Sequence, residues 1–353
     1  MRIGLPREIK DGELRAALTP EGVRSLVGAG HEVIVDPSLG HGIGCSGKDY
    51  ENSGAGIGNP WDAELVVKVK ELQKAERRLP RRGQTVFCFQ HFNVEHDLLD
   101  DALASGATFI AFEAIVLSDG SLPILAPMSA IAGRLAVQAG LWCLQKQNGG
   151  SGVLLGGMEG VAPGKVTILG AGNCGANALA LAAGLGARVC VFAKTERRFA
   201  SLRARYPAAE FRTDIENLGE ALVDTDLIVA GILTPKLTAP TLITRAMLRR
   251  MRAGSVLVDV GVDHGGIAET SRMTSHSAPT YVEEGIVHYC VPNMPAAFPA
   301  TASRALERAI LPFVLEIASG RLSETVRNGI QAKDGKVTHE PLARDTGRPY
   351  HPL

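Results

Sequence analysis

The sequence predicts an α/β protein whose strands form parallel sheets. Two observations support this prediction: short runs of β-branched residues alternate with segments of helical periodicity, and a glycine-rich motif follows one of these runs directly. Strands that alternate with helices pair in parallel and are joined by right-handed crossovers. At 353 residues, the chain is long enough for two domains of ordinary size.

The N-terminal part predicts a first series of strands and helices. Its strands are short apolar runs, expected at 2–5, 31–35, 65–69, 85–89 and 108–112. A helix is expected over 20–29, because Val23, Leu26 and Val27 recur at helical spacing before two glycines.

A second series follows a long helical pattern over 129–145 and a glycine-rich loop at 149–157. Its strands are expected at 166–169, 187–192, 227–230 and 255–260. The segment 299–318 predicts a returning helix with one apolar face. The polar tail over 334–353 is expected to be irregular.

Composition excludes several classes of protein. The chain has 37 basic and 37 acidic residues, so it offers no broad positive field for nucleic acid or an anionic membrane. No apolar run is long enough to cross a membrane, and the first residues lack the apolar core of a signal peptide. The six cysteines have no CxxC spacing, so we expect reduced thiols in a cytoplasmic protein and no metal site.

Residues 166–175, VTILGAGNCG, contain the pattern G-x-G-x-x-G between a predicted strand and a predicted helix. In this context Gly170 permits a tight turn, Gly172 lets a pyrophosphate approach the backbone, and Gly175 permits close packing of helix and strand. The helix start, with Asn173 and Cys174, supplies N–H groups to the phosphates. The motif predicts a dinucleotide site; the alternative is an ordinary glycine turn.

The end of the next strand bears on which dinucleotide binds. NAD-binding proteins usually place an acidic residue there to bind the ribose 2′-hydroxyl. This chain has Ala193, followed by Lys194, Arg197 and Arg198. The cations attract a 2′-phosphate, and no carboxylate at position 193 repels it. The sequence therefore predicts NADP in preference to NAD. In the alternative, Glu196 binds the ribose of NAD.

Several motifs recur in a recognisable order: GLPREIK at 4–10, Arg15, LTP at 18–20, KVKE at 68–71, LAPMS at 125–129, AGR at 132–134, VDVGVDHGG at 258–266 and HYCVPNMP at 288–295. With them the chain resembles the alanine dehydrogenases, nearly end to end. The soluble part of nicotinamide transhydrogenases shares much of the pattern. The resemblance implies two Rossmann-like domains flanking a cleft, with a dinucleotide domain at 128–301 inserted in a discontinuous substrate domain at 1–127 and 302–353. It also implies a homo-oligomer, a hexamer.

The resemblance also implies roles for individual residues. Arg15 matches the arginine that binds the substrate carboxylate, for which two parallel hydrogen bonds suit it. Lys70, at the end of a predicted strand, matches the lysine that contacts and polarises the substrate oxygens. His91 and Asp263 match the groups that handle protons, and histidine titrates near neutral pH. The remaining matches are Met128 and Asn293 at the substrate, and Ser129, Leu233, Asp263, Asn293 and Met294 at the nucleotide.

Some neighbours of these residues depart from the family pattern. Gln90 replaces a leucine, 92–94 replace Leu-Ala-Ala, Ala130 replaces a glutamate, Pro292 an alanine and Ala193 an aspartate. Because Arg15, Lys70, His91 and Asp263 are all kept, the pattern indicates retained chemistry with a changed pocket or cofactor.

The sequence therefore predicts a reversible oxidative deamination of a small L-amino acid, with L-alanine giving pyruvate and ammonia. Hydride passes to a nicotinamide cofactor, NADP or NAD. One alternative is an imine reductase, which acts on an imine formed from a 2-oxo acid and another amine or on a cyclic imino acid. The other is a transhydrogenase-like module that binds a dinucleotide without consuming an amino acid.

Overall fold

The computed structural model describes residues 1–232 and 239–353. The chain forms two compact units. Unit 1 comprises Met1–Met128 and Ala296–Leu353, and unit 2 comprises Ser129–Pro295. Within the described residues, no helix is both long and apolar enough to cross a membrane.

The strands are short, as the short apolar runs in the sequence predict. They are β1 (Arg2–Leu5), β2 (Glu32–Val35), β3 (Gly56–Ile57), β4 (Leu65–Val67), β5 (Thr85–Cys88), β6 (Thr108–Ala111), β7 (Lys165–Leu169), β8 (Arg188–Phe192), β9 (Glu210–Arg212), β10 (Leu227–Ala230), β11 (Val256–Asp259), β12 (Thr280–Glu283), β13 (Ile286–Tyr289), β14 (Ile330–Lys333) and β15 (Lys336–Val337).

The helices vary more in length than the strands. They are α1 (Pro20–Gly28), α2 (Gly47–Glu51), α3 (His96–Ser105), α4 (Leu125–Cys143), α5 (Asn173–Gly184), α6 (Ala200–Arg205), α7 (Leu218–Leu222), α8 (Arg245–Arg249), α9 (Pro299–Ser319), α10 (Glu324–Asn328) and α11 (Glu340–Thr346).

Unit 1 is built on a sheet of order β15-β14-β6-β5-β4-β1-β2-β3. The strands from β6 to β3 are parallel, whereas β14 and β15 form an antiparallel edge. The order of the strands reverses between β1 and β4. In open parallel sheets ligands bind beyond the carboxyl ends of the strands at such a reversal.

Unit 2 is built on a sheet of order β12-β13-β11-β10-β7-β8-β9, which is parallel except at β12. Its strand order reverses between β7 and β10. Apolar residues of β7, β8, β10 and β11 pack against α4 and α5 in one buried cluster. The predicted fold class of two parallel α/β sheets is confirmed.

The tail is the clearest correction to the predicted elements. The expected irregular segment contains β15 and α11. Val337, Leu342 and Ala343 are buried and pack into the core cluster that includes Val86 and Leu98. A few buried apolar residues are enough to order this polar segment, because β15 adds a strand to the edge of the sheet.

Among the element boundaries that differ from the prediction, those of β4 and α4 have a clear physical reason. β4 ends at Val67, because the backbone N–H of Val69 donates to the Glu8 carboxylate at 2.6 Å rather than to a strand. α4 begins at Leu125 instead of residue 129. Pro127 falls within its first turn, where a missing N–H costs nothing.

Candidate active site

The carboxyl ends of β1, β4 and β5 in unit 1 lead into the segments that carry Arg15, Lys70 and His91. These strands are neighbours in the sheet, with β1 and β4 at the reversal of strand order. The topology therefore directs the three predicted residues toward one edge of the sheet.

Arg15 is held in a fixed orientation by Glu13. Arg15 Nε donates to Glu13 Oε1 at 2.7 Å, and Nη2 donates to Oε2 at 2.5 Å. Arg15 is only 2% exposed and Glu13 3%. Arg15 Nη1 also lies 3.3 Å from the sulfur of Met128, a second predicted site residue. A buried guanidinium with one edge bound to a carboxylate is pre-oriented for binding a second anion.

Lys70 lies three residues beyond the end of β4, not at the strand end as predicted. Its backbone N–H and that of Val69 both donate to Glu8 Oε1. Its Nζ lies 3.4 Å from His91 Nε2 and 5.8 Å from the centroid of the Phe89 ring. Burial lowers the pKa of the Lys70 amine, which brings it closer to the range in which a lysine exchanges protons.

His91 adopts a left-handed backbone conformation, with φ at 54°. Such a conformation is uncommon outside glycine and persists where the surroundings impose it. Here the Glu113 carboxylate accepts from His91 N at 2.8 Å and from Gln90 N at 3.0 and 3.2 Å. The His91 ring stacks on Phe89 with centroids 6.0 Å apart.

Glu71 places negative charge beside Lys70 and His91. Its Oε2 lies 3.8 Å from His91 Nε2, and its Oε1 pairs with Lys10. Burial opposes its ionisation, but Lys70, His91 and Lys10 outweigh this and lower its pKa to about 2. Glu71 is therefore ionised at neutral pH.

Three carboxylates of this region were not predicted from the sequence: Glu13, Glu71 and Glu113. Glu13 lies two positions before Arg15 and Glu71 directly follows Lys70, so their closeness along the chain could have indicated these two pairs. Nothing in the sequence pairs Glu113 with His91, because the two are 22 residues apart.

Gln90, one of the departures from the family pattern, is fully buried. Among the described residues, neither Oε1 nor Nε2 of its side chain has a hydrogen-bond partner. A buried amide without partners costs free energy. Gln90 is therefore an unfavourable local choice directly before His91.

The glycine motif of unit 2 forms the tight turn that the sequence predicts. Gly170 has φ of 106°, and a Cβ on Gly175 would lie 1.7 Å from the Gly170 carbonyl oxygen. Gly172 precedes α5, and a Cβ there would meet nothing within 4 Å. The space beside Gly172 and the N–H groups of the first turn of α5, which begins at Asn173, fit a dinucleotide pyrophosphate.

Cys174 is buried within this motif, and burial raises the pKa of its thiol to about 12. A Cβ on Gly133 of α4 would lie 2.0 Å from its carbonyl oxygen, and one on Gly231 would lie 2.6 Å from its sulfur. Cys174 is therefore packed from two sides, so its backbone rather than its thiol is the part suited to a cofactor.

The end of β8 presents cations rather than a carboxylate. Ala193 is half-buried, whereas Lys194, Arg197 and Arg198 are exposed. Glu196, the alternative ribose ligand, is paired with Arg203 through contacts of 2.5 and 3.3 Å.

The remaining predicted residues of unit 2 differ in exposure. Asp263 lies in a short turn after β11, with its side chain 43% exposed and Oδ1 3.7 Å from His264 Nε2. Asn293 has φ of 53°, and Met294 is 3% exposed within the apolar core. Ser129 is half-buried. Leu233 lies outside the described residues.

No cluster of metal-binding side chains occurs in the part of the chain that the structure describes. The side chains described above support anion binding and proton transfer in unit 1, and the turn before α5 suits a dinucleotide in unit 2.

Two family models match the chain over most of its length. The model of the Alanine dehydrogenase/PNT N-terminal domain matches residues 4–132, and that of the C-terminal domain matches residues 136–340.

Individual relatives cover the whole chain. The alanine dehydrogenase of Halomonas elongata is 46% identical over 99% of this chain and 98% of its own length. That of Bacillus subtilis is 42% identical over 100% and 96% respectively. A solved L-alanine dehydrogenase, 40% identical, superposes with a TM-score of 0.95 and covers 98% of this chain and 99% of its own. A transhydrogenase structure from Sinorhizobium meliloti, 23% identical over 97% of this chain and 100% of its own, has a TM-score of 0.84 and shares the fold.

Proposed function

The chain belongs to the alanine dehydrogenase/PNT family, and on that premise we propose that it catalyses the reversible oxidative deamination of L-alanine to pyruvate and ammonia. The observation that carries this proposal is a group of three residues in unit 1: Lys70 contacts His91, and the charge of Arg15 acts on Lys70. It combines a rigid carboxylate-binding group with a lysine and a histidine in mutual contact.

Arg15 binds the substrate carboxylate. Its fork with Glu13 fixes the plane of the guanidinium, so little side-chain entropy is lost when the substrate binds. Met128, in contact with Arg15 Nη1, lines the same place and suits a small apolar side chain such as the methyl group of alanine.

Lys70 and His91 act on the substrate atoms that gain or lose protons. The Lys70 amine polarises the carbonyl oxygen of pyruvate, and the charge on Glu71 balances the cations around it. His91 exchanges a proton with the substrate oxygen or nitrogen, because a group bound to Lys70 Nζ is within reach of His91 Nε2. Asp263 assists the addition of water to the imine.

The cofactor binds to unit 2, and we propose that it is NADP in preference to NAD. A bound nicotinamide cofactor would supply the hydride acceptor for the oxidation of L-alanine and the hydride donor for reductive amination. The turn at Gly172 and the start of α5 hold the pyrophosphate. Lys194 and Arg198 are exposed and attract a 2′-phosphate, which the small Ala193 does not repel. Glu196 is occupied by Arg203.

We also propose that the working enzyme is a homo-oligomer, a hexamer by resemblance to the family. Light scattering coupled to size-exclusion chromatography measures the mass of the assembly. A monomeric mass would contradict this part of the proposal.

Assays in the direction of reductive amination distinguish the proposed reaction from the alternatives. The rate of NADPH oxidation with pyruvate should depend on ammonium in a saturable way and yield L-alanine. An enzyme that condenses pyruvate with another amine would need that amine instead. A dinucleotide-binding module would exchange hydride between two nucleotides without pyruvate.

A further inference from the structure

One buried carboxylate binds both ends of the segment that carries Asp263. Asp259, the last residue of β11, is 1% exposed. Its Oδ1 accepts from the backbone N–H of Gly261 at 3.2 Å. Its Oδ2 accepts from Ile267 N at 2.7 Å and from the Ser271 hydroxyl at 2.6 Å. One side chain thus binds both ends of the segment 260–271.

The segment packs tightly against this carboxylate. Gly266 has φ of 77°, and a Cβ there would lie 3.2 Å from Asp259 Oδ2 and 2.5 Å from the Ser271 Cβ. An ionised carboxylate accepts all three hydrogen bonds, whereas an amide in its place would turn a donor toward one of the donors. Burial raises the pKa of Asp259, while the three donors act in the opposite direction.

Asp263 lies between the two anchored ends. It occupies the turn Val262–His264, whose first residue is buried and whose aspartate is 43% exposed at the side chain. The Asp263 side chain is only partly packed, so its position depends on how the backbone of the segment is held. Asp259 holds the two ends, and the Ala239 N–H holds His264 O at 2.8 Å.

We propose that Asp259 is a positioning residue that holds Asp263 in the place required for proton transfer, without itself touching the substrate. This inference rests on the role given above to Asp263. A displacement of about 1 Å in a group that takes part in the chemistry lowers the rate by about 100-fold. Loss of the three hydrogen bonds to Asp259 should therefore lower kcat, because Asp263 is displaced, and leave nucleotide affinity unchanged.

A purely structural role for Asp259 gives a different result. A structural defect would lower stability and the amount of folded enzyme, and its effect on kcat would be independent of residue 263. Two residues that act through one another show non-additive effects, whereas independent residues multiply their effects.

The test is a double-mutant cycle of Asp259→Asn and Asp263→Asn in the full-length protein. Each variant is measured for kcat with L-alanine and NADP, for NADPH affinity by fluorescence titration, and for thermal stability. Ser255→Ala is the matched control, since the Ser255 hydroxyl donates to Thr225 O at 2.9 Å at the other end of β11. It should lower stability and leave kcat unchanged.

We expect Asp259→Asn to lower kcat at least about tenfold with NADPH affinity within about threefold of wild type. In the Asp263→Asn background it should lower kcat no further. Unchanged kcat in Asp259→Asn, or a double variant that loses the product of both factors, would overturn the inference. If Asp263→Asn itself keeps wild-type kcat, the role of Asp263 is wrong and the inference falls with it.

A second variant keeps the test decisive if Asp259→Asn does not fold. Ser271→Ala removes the hydroxyl that donates to Asp259 and accepts from Ala268 N, and leaves the two backbone hydrogen bonds to Asp259. We expect a loss of about two- to fivefold in kcat, since one charge-assisted hydrogen bond is lost. This loss should vanish in the Asp263→Asn background; its persistence there would contradict the inference.

Discussion

The Nζ of Lys70 lies 3.4 Å from Nε2 of His91, although the two residues follow different strands and are 21 positions apart. Which of the two nitrogens donates in this contact depends on the protonation state of Lys70 and His91. The contact therefore links the protonation of the two side chains. It places an imidazole next to the amine that we propose binds the substrate oxygen.

Loss of the Lys70 amine should abolish most of the activity. Lys70→Met keeps the length of the side chain but removes the charge and the contact with His91. We expect kcat/KM for L-alanine to fall at least about 100-fold, in line with the loss of a general acid–base group or of electrostatic stabilisation. Lys74→Met, four residues later and exposed, is the control and should retain activity. Similar activity in the two variants would refute the role of Lys70.

Replacement of Arg15 should weaken substrate binding more than turnover. Arg15→Lys retains a positive charge but cannot form the fork with Glu13 or a bidentate contact with a carboxylate. We expect the KM values for L-alanine and pyruvate to rise about tenfold or more, with a smaller change in kcat. Steady-state kinetics in both directions measures this split. A fall in kcat with unchanged KM would argue against carboxylate binding by Arg15.

An aspartate at position 193 should reverse the nucleotide preference. Ala193→Asp introduces a carboxylate that accepts from the NAD ribose and repels a 2′-phosphate. The ratio of kcat/KM for NADP over NAD should fall at least about tenfold, or about 1.4 kcal/mol. Glu196→Gln serves as the comparison and should leave the ratio unchanged, because Glu196 is paired with Arg203. A large change in Glu196→Gln instead would favour the alternative ribose ligand.

Leucine at position 90 should stabilise the protein. Gln90→Leu removes a buried amide whose two polar atoms have no partner among the described residues. Removal of such a group should raise the free energy of unfolding by about 1–3 kcal/mol. Thermal or urea unfolding would detect this change. A lower midpoint for the variant would show that the amide makes hydrogen bonds in the folded protein. Gln84→Leu, which removes the bonds from Gln84 Nε2 to Trp61 O and Ala63 O, should destabilise it.

Glu71 should contribute to stability in a pH-dependent way. Lys70, His91 and Lys10 lower its pKa from 4.5 to about 2 in spite of burial. A carboxyl group whose pKa is lower in the folded state stabilises the fold above its unfolded pKa, and this contribution is lost as the pH falls toward the folded value.

We therefore expect Glu71→Gln to melt at a lower temperature than wild type at neutral pH. The gap should narrow as the pH is lowered from about 5 to about 3. Glu216→Gln, at an exposed position, should show no such gap. A gap that is constant across this range would indicate that the charge of Glu71 is not the cause.

Strands could be predicted from the sequence where apolar residues form a continuous run. β7 and β10 coincide closely with their predicted spans because each is buried on both faces and bounded by turn residues. α11 was missed, because Leu342 and Ala343 alone mark its buried face. A short helix in a polar tail has too little periodicity to be recognised.

The site was predicted only in part. The motifs identified Arg15, Lys70 and His91, but not the carboxylates that orient them. Glu113 reaches His91 only because β5 and β6 are adjacent in the sheet. Such pairs are set by tertiary structure, so neither periodicity nor spacing along the chain shows them.

The most direct test is the initial rate of nicotinamide reduction with L-alanine, measured separately with NADP and with NAD. We expect rapid reduction with pyruvate and ammonia as products, and a higher kcat/KM with NADP than with NAD. We also expect His91→Asn to lose this activity and to retain its affinity for the dinucleotide, for which we propose a site in unit 2. A folded protein that binds NADP but oxidises neither L-alanine nor any other small L-amino acid would contradict the central claim.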